Sequence, residues 1–149
     1  MPSEARPEDP LPAAPPPQGR YVPATSTDHL VLTAGMTPRV DGVLRHVGRV
    51  GAEVSLADAR TAAGIAAGNA VAAAAAEAGG IDAIARALRL TVFVRAVEDF
   101  TDHPKVADAA SDRLVELLGD RGVVARSAVG VASLPGGACV EVELTCLRA

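Results

Sequence analysis

Residues 126–144 read RSAVGVASLPGGACVEVEL, and the fold turns on how they are paired. Alternating small and apolar residues on either side of Leu134-Pro135-Gly136-Gly137 predict two strands around a turn, because proline fixes φ and glycine admits its left-handed range. Arg126 opens the first strand among small neighbours, and Glu141 and Glu143 share one face of an apolar alternation in the second. Read as a hairpin, the turn pairs Arg126 with about Thr145 and Gly130 with about Glu141, separating Arg126 from Glu141 by about 13 Å along the ladder. That is too far for a simple cross-strand ion pair. Charges on strands that otherwise read as core need partners. For Arg126 two remain open: a carboxylate ligand gripped by the guanidinium fork, or backbone carbonyls and a neighbouring subunit.

Working outward, residues 103–118 carry Val106, Ala109, Ala110, Arg113, Leu114 and Leu117 at three-four spacing, which predicts a helix with one buried stripe, ended by Gly119. Before it, LRLTVFVR at 88–95 is rich in β-branched and aromatic residues and predicts a strand with Arg89, Thr91, Phe93 and Arg95 on one face. Ser55 with Asp58 forms a capping signal for a second, alanine-rich helix that Gly79 and Gly80 stop. Gly64 and Gly68 lie on one face of it and are expected to pack tightly on a sheet. Residues 21–34 read as a first hairpin ended by Gly35, followed by a loop over 36–54 whose Arg39, Arg45, Arg49 and Glu53 are expected to be solvated. The predicted fold class is α+β: one mixed sheet with two helices on one face. Nothing in the chain covers the other face, so a closed homo-oligomer is expected.

A length of 149 residues suits one domain, set at 19–149. Residues 1–18 hold seven of the eleven prolines and are expected to be a disordered tail. A net charge of -4 with one Tyr, two Phe and no Trp disfavours nucleic acid. The alanine- and glycine-rich run at 62–76 is too weakly apolar to span a bilayer, and the start of the chain has no export pattern, so no membrane association and a cytoplasmic location are expected. Cys139 and Cys146 fall on opposite strand faces and read as buried free thiols of a reducing compartment. His29 and His46 lack partners at ligand spacing, so no metal is expected.

Ala125-Arg126-Ser127-Ala128-Val129, Leu134-Pro135 and Val140-Glu141-Val142-Glu143, with Tyr21-Val22, the strand end at Ala34-Gly35, and Thr91 to Val94 followed by Asp99-Phe100, together resemble the RidA/YjgF family of reactive-intermediate deaminases over about residues 20–148. The resemblance implies a chorismate-mutase-like subunit and a homotrimer with a site in each inter-subunit cleft. It also implies hydrolysis of enamines and imines such as 2-aminoacrylate to 2-oxo acids and ammonia, with no metal or cofactor. On this resemblance Arg126 would grip the substrate carboxylate, Gly35 and Ala128 would offer backbone contacts, Glu141 would position the attacking water and Tyr21 would line the cleft. The chain departs from the family where many members have cysteine at Ala128 and a polar residue at Met36, and its 36–54 connection is longer. Met36 and the longer connection point to a larger imine or carbonyl substrate; the alternative function is a small-molecule-binding or regulatory trimer that uses the same cleft without turnover.

Overall fold

The computed structural model describes residues 11–149. Helix α1 spans Leu56–Ala78: the Ser55 side chain accepts the N–H of Asp58 at 3.1 Å at its start, and Gly79, at φ 101°, closes it with a bond to the Ala75 carbonyl. Both ends stand where their capping residues placed them. Helix α2 spans His103–Leu118 and buries Val106, Ala107, Ala110, Leu114 and Leu118. The stripe therefore runs through Ala107 and Leu118, while Ala109 and Leu117 lie partly buried at its margin.

Strands β1 (Ala24–Ser26) and β2 (Leu30–Thr33) form the expected hairpin, and β3 (Arg39–Val40) and β4 (Val43–Leu44) form a second small one inside the 36–54 connection. Strands β5 (Ile84–Arg95), β6 (Ala125–Val131) and β7 (Val140–Arg148) complete a five-stranded mixed sheet in the order β1-β2-β7-β5-β6. The last two strands are thus not a hairpin. β5 lies between them, parallel to β6 and antiparallel to β7, so Arg126 faces Leu90 and Glu141 faces Phe93. The reason is that β5, twelve residues long, has two full edges to fill. α2 supplies the crossover that a parallel partner needs, and the Leu134-Pro135-Gly136-Gly137 turn carries the chain across the end of β5. There Gly48 N–H donates to the Gly137 carbonyl at 2.9 Å, and Arg95 N–H to that of Cys139 at 2.9 Å.

Alternation then sorts the sheet into two faces. Val31, Leu90, Val92, Val94, Val140, Val142, Leu144 and Cys146 point toward α1 and α2 and are buried. The opposite face carries Leu32, Thr91, Phe93, Val129, Glu141, Glu143 and Leu147, and no element of the described chain covers it. Gly64 and Gly68 do not touch the sheet: Gly64 faces the Ala109 carbonyl of α2, and Gly68 faces Arg113 and Pro12. Of the proline-rich segment, residues 11–18 run without regular structure and Leu11 packs on the core; the remainder of that segment lies outside the described residues.

Candidate functional site

Arg126 sits near the start of β6 on the helix-covered face, where α2 passes over the strand. Its Nη1 donates to Asp108 Oδ1 at 2.9 Å and to Ser111 Oγ at 3.0 Å, and its side chain is 21% exposed against 57% for Asp108. Ala128 and Gly130 follow on the same face of β6. The His103 ring packs closely over Gly130: a Cβ there would lie 2.8 Å from His103 Nε2 and push the ring aside. His103 in turn stacks edge-on against Phe100. β6 is the edge strand of the sheet, so beside Arg126 one side of the strand has no neighbouring strand among the described residues.

Glu141 stands on the opposite face. Its side chain lies over Gly35, where a Cβ would come within 2.7 Å of the carboxyl and displace it. The approach is set by the chain just past β2, since Met36 and Val142 exchange both backbone hydrogen bonds, at 2.7 and 2.9 Å. Burial, and then the neighbouring Glu143, raise the Glu141 carboxyl above its ordinary pKa. Among the described residues its side chain makes no hydrogen bond. A half-buried carboxyl that holds its proton more tightly than usual can both accept from and donate to water.

The five residues expected to act together are therefore distributed. Glu141 and Gly35 meet; Arg126 and Ala128 share the other face, three positions along β5 and two strands away. Tyr21 is 46% exposed, and its hydroxyl accepts the N–H of Gln18 at 3.0 Å. The predicted distance between Arg126 and Glu141 rested on a hairpin that does not form; the conclusion that they are not partners within one chain stands, because the sheet separates them. Sequence reasoning missed Asp108 and Ser111. Their spacing of three residues on the non-buried side of α2 is visible, but only the docking of α2 on β6 brings them to Arg126. Both cysteines are buried free thiols, as expected, and burial pushes each up to about 11.

A cavity of about 830 Å³ lies elsewhere, between α1, the β3–β4 hairpin and residues 12–18. It shares no lining residue with Arg126, Glu141, Gly35 or Ala128. Its buried amide is satisfied, with Asn69 Nδ2 donating to the carbonyls of Thr37 and Arg39 at 3.1 and 3.0 Å. Arg39, Asp41, Thr61 and Arg113 also line it, apart from Arg126 and Glu141.

The chain is 36% identical over 134 residues to "Protein TCP17" of Trypanosoma cruzi, covering 89% of this chain and 84% of that protein. Among solved structures it resembles Atu1372 of Agrobacterium tumefaciens, a protein of unknown function, at 35% identity and a TM-score of 0.85 over 90% of this chain and 86% of that one. It also resembles a protein of Shewanella oneidensis described as "a putative endoribonuclease", at 27% identity and a TM-score of 0.87 over 92% and 91%. No helix among the described residues is long and apolar enough to cross a membrane. Residues 8–145 match the family described as "YjgF/chorismate_mutase-like, putative endoribonuclease", and with this fold and these relatives the chain belongs to the YjgF/RidA family.

Proposed function

We propose that this protein hydrolyses imines and enamines of 2-aminoacrylate type to 2-oxo acids and ammonia, in clefts between the subunits of a homotrimer. The observation that carries the reading is the placement of Arg126 and Glu141 on opposite faces of one sheet. Within a chain they cannot meet on one small ligand; residues from adjoining subunits can. The uncovered apolar face, with Leu32, Val129 and Leu147 exposed, supports association.

In this mechanism Arg126 holds the substrate carboxylate through the donors not engaged by Asp108 and Ser111. Backbone groups near Gly35 and Ala128 fix the ligand. Glu141 holds a water against the C=N carbon and takes its proton as the C–O bond forms, then returns a proton to the departing nitrogen. An imine already hydrolyses in water, so orientation and one proton shuttle suffice.

The family description names endoribonuclease activity, which the acidic pI of about 5.3 and the 2% aromatic content oppose. The deciding experiment releases an imino acid with an amino-acid oxidase in the presence of semicarbazide. The protein should lower semicarbazone formation, and Arg126→Ala should lose at least about tenfold of that effect, the loss of a charge-assisted contact. Equal trapping with and without the protein, or an Arg126→Ala variant as active as the parent, sinks the reading.

A further inference from the structure

Arg126 does not meet a ligand as a bare cation. Its Nη1 donates to the Asp108 carboxylate at 2.9 Å, and Asp108, on α2 beside it, is more than half exposed. A ligand carboxylate that takes the remaining donors of the guanidinium therefore lies close to a second carboxylate. For a simple monoanion this is a repulsion that partly cancels the attraction of Arg126. For a ligand with a cation next to its carboxylate it is not, because Asp108 faces that cation.

We propose that Asp108 is a specificity-determining residue that sorts ligands at Arg126 by charge, favouring zwitterionic 2-iminium and 2-amino acids over plain 2-oxo acids. The inference rests on the carboxylate-gripping role given to Arg126. It bears on turnover as well as entry. In the reaction R–C(=NH2+)–COO− + H2O → R–C(=O)–COO− + NH4+, the water oxygen bonds to carbon. The C–N bond breaks with its electron pair going to nitrogen, and both water protons end on the ammonium. The substrate arrives with a cation for Asp108, and the product keeps only its anion. The site thus binds substrate better than product, and that difference speeds release.

The test uses the intact protein and two ligands of nearly the same shape, alanine for the zwitterion and pyruvate for the monoanion, titrated by calorimetry. The parent should prefer alanine. Asp108→Asn keeps an oxygen for Arg126 but removes the charge, and should shift the alanine-to-pyruvate affinity ratio toward pyruvate by roughly three- to tenfold, the size expected of an exposed pair of charges. Asp108→Glu should restore the parental preference, which a purely structural role for the side chain would not do. If the parent shows no preference, or Asp108→Asn leaves the ratio unchanged while Arg126→Ala abolishes binding, charge sorting is wrong and the grip by Arg126 survives. If Arg126→Ala binds pyruvate as the parent does, both fall together.

Discussion

On the covered face of the sheet Leu90, Val92, Val94, Val140, Val142 and Leu144 are sealed by α1 and α2, whereas the opposite face mixes Thr91, Phe93, Glu141 and Glu143 with exposed Leu32, Val129 and Leu147. The same strands supply both faces, at odd and even positions. The contrast shows where the chain is complete by itself: one face is a core, and the other leaves apolar side chains exposed beside two carboxylates, the surface on which the proposed subunit contact would form. Arg126 belongs by alternation to the first and Glu141 to the second, so the proposed chemistry joins the two kinds of surface.

Three changes would break or sharpen that contrast. Leu90→Ala, in the covered face, should destabilise the chain by about 2–5 kcal/mol in urea denaturation, as buried leucines do on truncation. A loss under about 1 kcal/mol would mean that the face is not a packed core. On the open face Val129→Ala should change the stability of the separated chain by no more than about 0.5 kcal/mol. Val129→Glu should instead lower the mass measured by light scattering from that of a closed oligomer to that of the single chain. Equal masses for parent and Val129→Glu would remove the open face from the interface.

The smallest effect concerns Glu141. Its raised pKa means that the folded chain holds this proton more tightly than the unfolded chain. Stability therefore falls as pH rises from the ordinary carboxylate range through the raised value, and the term is absent at still lower pH. Glu141→Gln should be the more stable form at pH 7 by less than about 1 kcal/mol, screened as this half-exposed site is, and the two should converge in acid. A constant difference across that range would assign it to shape instead of charge.

Helix ends and the hairpin of β1 and β2 were legible because their causes are local: Ser55 caps α1, Gly79 closes it, and the turn at 26–29 has few residues to arrange. The motif that marks the family was legible for the same reason, and with it Arg126 and Glu141 as the residues of interest. Strand pairing was not. Pro135 and the glycines after it predict a turn, yet whether β6 folds back on β7 or leaves room for β5 depends on which edges the twelve residues of β5 fill. Asp108 was illegible because it is the spacing of an ordinary solvated residue until α2 lies on β6. The glycines of α1 were assigned to the sheet when they face α2, since a bare helix side tells that something comes near without saying what.

The order β1-β2-β7-β5-β6 has a consequence for how the protein is made. β7 sits at the centre of the sheet but is translated after both strands that flank it. Until it emerges, β2 and β5 each present a naked edge of N–H and C=O groups to solvent or to one another's copies on a polysome. The central strand is the last to arrive, so the nascent chain must wait, half-zipped, for its keystone.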